Sequence, residues 1–305
     1  MIPQLTLGPV LYNWPAENWR DFYFEVADEA PVKTVFIGEA ICSKRAPLFA
    51  PYFEEVVTRL DNAGKQLVFS TLAEVTNNID RRLMKQVATS EGFFVEANDT
   101  SALWHLDGQP HAIGPYMNVY NEDALAFFAA NGAQSICLSP EIPASGIAEL
   151  SKLASKLDVE LEVQIFGRIP LALSARCYHA RAHGKTRDSC QFICDRDVDG
   201  MVLDTLEGRP FLTVNGIQTQ SHTCLNLVNE LDELAAAGVG RFRISPQSKG
   251  TIAAAKVFDA LLNSEITRDE ANECLQACGI GVPFSNGFFH QQPGFTWQAG
   301  NASRQ

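Results

Sequence analysis

Short apolar runs alternate along the chain with longer stretches whose apolar residues recur every three or four positions. The short runs fall at residues 5–10, 34–37, 66–70, 93–96, 112–119, 135–138, 160–166 and 241–245, and their length and content predict strands. The helical period is found at residues 19–30, 47–62, 76–89, 121–130, 144–156 and 227–236. Gly132, Gly238 and Gly240 stand where helices should stop, as C-terminal capping glycines do. Strands alternating with helices in this way mean βαβ units and a parallel sheet. Eight strands favour a closed TIM-like (β/α)8 barrel over an open doubly wound sheet. No G-x-G-x-x-G follows the first strand, which removes the usual dinucleotide-binding signature.

One interval breaks the rhythm. Between the seventh and eighth predicted strands lie residues 167–240, too many for a simple crossover, with a small hairpin predicted at 201–205 and 209–214. In a barrel such an insertion leaves the C-terminal face, where these folds build their sites. The barrel with its insertion is expected to span residues 1–265. Residues 266–305 should then form a further helix at 268–277 and an aromatic tail at 283–297 that folds back on the barrel.

Composition narrows the function. The chain has 305 residues, 46% hydrophobic and 20% charged, with a formal net charge of -12. That balance argues against a nucleic-acid binder with a broad basic face. The first basic residue is Arg20, so the start lacks the basic region of a secretory signal. No apolar run approaches the roughly 20 residues of a membrane helix. A soluble cytoplasmic protein is expected, and in a reducing compartment its eight cysteines should be free thiols or metal ligands.

Three of those cysteines, Cys177, Cys190 and Cys194, share one charged stretch with the spacing C-x12-C-x3-C. Arg176, Arg181, Lys185, Arg187 and Arg196 are interleaved with them, and nearby cations favour the thiolate that binds metal. The stretch therefore holds three quarters of a metal or iron–sulfur site. From position, Cys42 after the second strand is the best of several candidates for the fourth ligand. Cys137 within the sixth strand reads as a small buried hydrophobe. Cys224 is expected to open a helix, and Cys274 and Cys278 repeat the C-x3-C spacing on a tail helix, where packing explains them.

His179 and His183, four residues apart, raise a mixed zinc site but are expected to be solvated. A four-cysteine zinc site usually shows two close pairs, and only Cys190 and Cys194 form one; a dispersed set suits the larger volume of a cluster. Candidate substrate contacts are Glu39 beside Cys42 (as is Lys44), Asn118 and Tyr120 at the end of the fifth strand, and Arg168 after the seventh. A fifth is Lys249, before a helix N-terminus suited to an anion. No Ser–His–Asp or Cys–His order carries a hydrolase signature.

The run IFGRIPLALSARCYHAR, followed by this cysteine spacing, resembles the collagenase-like peptidase family. With GPVLYNWP, IGEAICSKR and ISPQSKGT, the chain is similar over nearly its whole length to the branch of that family serving oxygen-independent ubiquinone biosynthesis. The resemblance implies a [4Fe–4S] cluster on Cys42, Cys177, Cys190 and Cys194. It also implies a heterodimer with a related iron–sulfur protein, UbiU, working beside the lipid-binding protein UbiT to hydroxylate the ubiquinone ring without dioxygen. Prephenate is the oxygen donor that the resemblance implies. Four cysteines leave no open iron, which favours electron transfer or a structural role. The rival readings are a scaffold that stabilises the partner and, from the family's name alone, a peptidase.

Overall fold

A computed structural model describes residues 3–299; the outermost residues of the predicted domains, 1–2 and 300–305, lie outside the described residues. Seven parallel strands follow one another: β1 (Gln4–Leu7), β2 (Thr34–Ile37), β3 (Gln66–Ser70), β4 (Phe94–Ala97), β5 (His111–Ile113), β6 (Ala133–Cys137) and β7 (Glu160–Leu173). An eighth parallel strand, β11 (Arg241–Ile244), pairs with both β1 and β7 and closes the barrel. The expected TIM-like architecture is therefore present.

Helices α1 (Ala16–Glu29), α2 (Ala46–Asn62), α3 (Asn78–Ala88), α4 (Thr100–Leu106), α5 (Glu122–Ala130), α6 (Ala144–Lys156), α8 (Leu231–Ala237) and α9 (Thr251–Leu262) lie between or after the strands. A short helix α7 (Tyr178–Ala182) belongs to the insertion, and α10 (Arg268–Ala277) precedes the tail. Among the described residues no helix is long and apolar enough to cross a membrane.

The barrel interior is polar where it could have been apolar. The guanidinium of Arg243 meets Glu96 Oε1 at 2.7 Å and Glu162 Oε2 at 2.5 Å, and it stacks 3.9 Å from the Phe36 ring centroid. Ser70 donates to Glu96 at 2.7 Å, and Thr6 donates to Glu162. Two buried carboxylates are tolerable only because a cation and hydroxyls satisfy them. Above this plug Pro115, Tyr116 and Pro170 leave a cavity of only about 20 Å³. The barrel therefore has a filled centre.

Three elements differ from the sequence expectation. Helix α4 was not predicted; its seven residues are too few for a clear period, and Asp99 caps it by accepting from the Ser101 amide. The fifth strand was predicted over 112–119 but stops at Ile113, because Gly114 and Pro115 open a one-turn 3-10 helix (Pro115–Met117) and Asn118 turns left-handed at φ 54°. The insertion is a sheet extension, larger than the predicted hairpin. Strand β7 runs on to Leu173, and β8 (Met201–Asp204), β9 (Pro210–Asn215) and β10 (Gln218–Asn226) line up antiparallel beside it in the order β7-β10-β9-β8.

The sequence of β10, QTQSHTCLN, is mostly polar and hid its strand character. Cys224 thus lies in β10, opposite Arg168, and does not open a helix. The tail does fold back: β12 (Phe284–Ser285) pairs with β10, and Phe289 is buried in the main core.

Candidate metal centre

The four cysteines singled out in the sequence come together between the loop after β2 and the insertion. Cys42 is presented by a tight turn in which Glu39 Oε1 accepts the amide N–H groups of Ile41 and Cys42 at 2.7 and 2.9 Å. Cys177 opens α7 from a left-handed backbone at φ 54°, and the Ala180 amide points at its sulfur. Cys190 and Cys194 flank Gln191 and Phe192, both left-handed at φ 53° and 54°. Such residues cost about 1–2 kcal/mol each relative to ordinary backbone, so the turn is held by its surroundings. The insertion reaches across the opening as a long loop could: Lys44 Nζ donates to the Arg187 and Asp188 carbonyls at 2.8 and 3.1 Å.

An apolar floor of Leu11, Ile41, Ala180 and Ile217 includes Cys177, with Cys42 and Cys190 packed against it. Over it hang donors and cations aimed at sulfur. Asn13 Nδ2 is 3.4 Å and Arg45 Nη2 3.6 Å from Cys194 Sγ, and Lys44 Nζ is 3.6 Å from Cys190 Sγ. Arg45 is 1% exposed. It is fixed by donating to the Leu11 carbonyl at 3.1 Å and to Asn215 Oδ1 at 2.7 Å, while Asn215 Nδ2 donates to the Cys194 and Asp197 carbonyls. Gly216 (φ 68°) follows Asn215 in the β9–β10 turn, and a Cβ there would sit 2.3 Å from Arg45 Nη2. Only glycine fits both the backbone and the space.

Electrostatics act on the thiols in opposite directions. Burial pushes Cys42 and Cys177 above the ordinary thiol range, and Arg45 pulls both down. Burial wins on balance, so the thiolates here are disfavoured until a bound metal group supplies the missing positive charge. Among the described residues no three of these sulfurs lie within 4.8 Å of one another. A single tetrahedral zinc needs its sulfurs about 3.8 Å apart, so these thiols would have to draw together to hold one.

The remaining candidates divide. Glu39 supports Cys42 from behind. Asn118 and Tyr120 border a separate 290 Å³ depression with Glu74 and Glu141, where the Tyr120 hydroxyl donates to Glu141 at 2.7 Å. Arg168 is buried, and its Nη1 donates to Thr213 Oγ1, the Ser221 carbonyl and the His222 carbonyl, which clamps β7 to β10. Lys249 is exposed ahead of α9, and beside it the Asp199 carboxylate already takes the Ser248 amide at 2.8 Å.

His179 corrects an expectation: it is fully buried, not solvated. Cys137 and Cys224 are buried in strands, with Cys224 pushed up to about 12 by burial, and Cys274 and Cys278 sit together on α10. Sequence reasoning missed Arg45, Asn13 and Asn215. Asn13 meets Cys194 across 181 residues and Arg45 meets Asn215 across 170, so spacing carries no trace of them.

A second feature adjoins the turn of Cys42. A cleft of 530 Å³ between α2 and α3 is walled by Trp19, Phe49, Phe53, Phe69 and Phe93, and Glu39 is part of its lining.

Among solved structures, the chain is similar to a 3-deoxyheptonate-type aldolase, phospho-2-dehydro-3-deoxyheptonate aldolase from Thermotoga maritima, at 10% identity and a TM-score of 0.42, covering 92% of this chain and 71% of that one. A fructose-bisphosphate aldolase from Slackia heliotrinireducens matches at 11% identity and TM-score 0.39, covering 93% and 88%. A putative galactarate dehydratase of the enolase type from Agrobacterium radiobacter matches at 15% identity and TM-score 0.37, covering 53% of this chain and 45% of that one, so the chain spans less than half of that enzyme's length. The model of peptidase family U32 matches residues 16–299, and the chain belongs to that family.

Proposed function

We propose that this chain is an iron–sulfur subunit of the UbiV type, holding a [4Fe–4S] cluster on Cys42, Cys177, Cys190 and Cys194 and serving an oxygen-independent hydroxylation in ubiquinone biosynthesis. The observation that carries the reading is the convergence of four thiols from two distant segments, three of them against one apolar floor, with Arg45, Lys44 and Asn13 aimed at the sulfurs. When bound, such a cluster supplies one-electron transfer. The chain's own groups set its surroundings. Glu39 and the left-handed turn at Gln191 and Phe192 fix where the thiolates point. Arg45 and Lys44 offset the negative charge that four thiolates accumulate, and Leu11, Ile41 and Ile217 keep water away from one side.

Two further features support a subunit over a complete enzyme. The barrel centre is filled by the Arg243–Glu96–Glu162 group, and the cavity directly beside it has room for little more than a water. The substrate pocket of the complex is therefore assigned to the UbiU partner, with the apolar cleft beside Glu39 available to a hydrophobic portion of the substrate or to the partner itself. The lipid carrier UbiT completes the proposed assembly. The scaffold reading is favoured by the same filled centre, and one experiment separates the two. The heterodimer is purified without oxygen and assayed for hydroxylation of a prenylated phenol, with wild-type chain and with Cys190→Ala. Lost turnover in an intact heterodimer supports the electron-transfer role; unchanged turnover leaves only the scaffold.

A further inference from the structure

Two residues beyond Cys177, helix α7 carries His179, and His183 follows at its C-terminal end; their rings stack with centroids 5.3 Å apart. Each ring is oriented by a backbone carbonyl. His179 Nδ1 is 3.1 Å from the Val214 oxygen, and His183 Nδ1 is 3.0 Å from the His179 oxygen. A carbonyl only accepts, so the hydrogen-bond network assigns a proton to Nδ1 in both rings, which in the neutral imidazole leaves each Nε2 with a free lone pair. That lone pair on His179, in a fully buried ring, faces Asp197 Oδ2 at 3.0 Å. Two acceptors at this distance repel unless positive charge lies between them. One ligand atom from each of His179, His183 and Asp197 falls within 4.8 Å of the other two.

We propose that His179, His183 and Asp197 form a second metal site, for a divalent first-row transition ion of the zinc class, distinct from the four thiols. Two imidazole nitrogens and one carboxylate oxygen suit such an ion, whereas calcium and magnesium take oxygen ligands. Bonds of about 2.0–2.2 Å to the ion place neighbouring donors about 3.0–3.5 Å apart, the separation found between His179 and Asp197. The Nδ1-to-carbonyl contacts are the outer support that metal-bound histidines ordinarily show. His183 is exposed and borders a groove with Gln191 and Asp195, through which an ion and a water ligand can reach the site. The ion would tie α7, which Cys177 immediately precedes, to the 3-10 turn Ile193–Arg196 that carries Cys194. Its role is thus to position the two segments that present those thiols.

The proposal does not depend on the cluster reading, and the test keeps the two apart. The full-length chain, with Cys274→Ser and Cys278→Ser to remove the surface thiol pair, is loaded with iron and sulfide without oxygen and dialysed against micromolar Zn²⁺. Zinc, iron and sulfide are then counted. About one zinc per chain is expected, with iron and sulfide unchanged, and His183→Asn or Asp197→Asn should weaken zinc retention at least about tenfold. No bound zinc would mean that His179 is simply doubly protonated against Asp197, and equal retention by His183→Asn would place the ion elsewhere; either result overturns the proposal. A parallel loading with Co²⁺ covers a protein that takes up no sulfide. Weak visible bands alone are expected, and an intense near-ultraviolet thiolate-to-cobalt band as the sole signal would overturn the assignment.

Discussion

Glu39 shows how a single side chain can govern the presentation of a ligand from outside the ligand set. One carboxylate oxygen accepts two consecutive amides, Ile41 and Cys42, and so fixes the turn that aims the sulfur. Burial raises its pKa, while Arg45 and the two amides act in the opposite direction. Glu39→Gln keeps an acceptor oxygen at the same reach, whereas Glu39→Ala removes it. Iron content is therefore expected to stay near wild type in the glutamine variant and to fall in the alanine variant, measured per folded chain. Arg45 works at the same scale. Arg45→Met removes a buried cation and one of the two donors to each of Asn215 Oδ1 and the Leu11 carbonyl, a loss of about 1–3 kcal/mol in denaturant unfolding. Glu39 was visible in the sequence as a neighbour of Cys42. Arg45 was not, since its meaning depends on a turn 170 residues further on.

Among the elements, α3 is joined through its cap to the cysteine-bearing insertion and to the turn of Cys42. Asn77 and Asp80 form a capping box, and Asp80 also accepts from Ser43 at 2.5 Å and from Thr76, with Arg187 of the insertion 3.6 Å away. Burial would raise the pKa of Asp80, but the bonds from Ser43 and Thr76 and the charge of Arg187 outweigh it and hold it below the ordinary 3.8. A carboxylate with a lowered folded pKa stabilises the fold at neutral pH and loses that contribution as pH falls below about 4, through the folded value. Acid unfolding of the wild type should thus steepen there. Asp80→Asn should unfold more readily at neutral pH and show a shallower loss on acidification, followed by circular dichroism.

Strand β10 makes the complementary point. Arg168→Ala frees the Ser221 and His222 carbonyls inside the β7–β10 pair, and a destabilisation of about 2–4 kcal/mol is expected. β10 escaped the sequence because polar residues such as Gln218, Gln220 and Ser221 face buried partners, so hydrophobic alternation was absent where strand pairing was present. Helix α4 escaped for the opposite reason: Thr100–Leu106 is regular but too short to establish a period.

For the whole molecule, the barrel was legible because its strands are buried on both faces and read as short apolar runs, such as Val35–Phe36–Ile37, between amphipathic helices. Its closure and the insertion were legible from strand count and interval length. The filled barrel centre was not. Glu96, Glu162 and Arg243 each look like isolated charges in separate strands, and only barrel closure brings them together. The location of the thiols followed the cysteine spacing, while the cluster proposed for them rests on family resemblance and on the cations aimed at their sulfurs. The measurement that bears most directly on this account is iron, acid-labile sulfide and zinc per chain in protein purified without oxygen, repeated for alanine variants of Cys42, Cys177, Cys190, Cys194 and Cys274. About four irons and four sulfides per chain, depleted by each of the first four substitutions and retained in Cys274→Ala, is the predicted result. Thiol-bound zinc without sulfide, or iron that disappears with Cys274 and survives loss of Cys42, would contradict it.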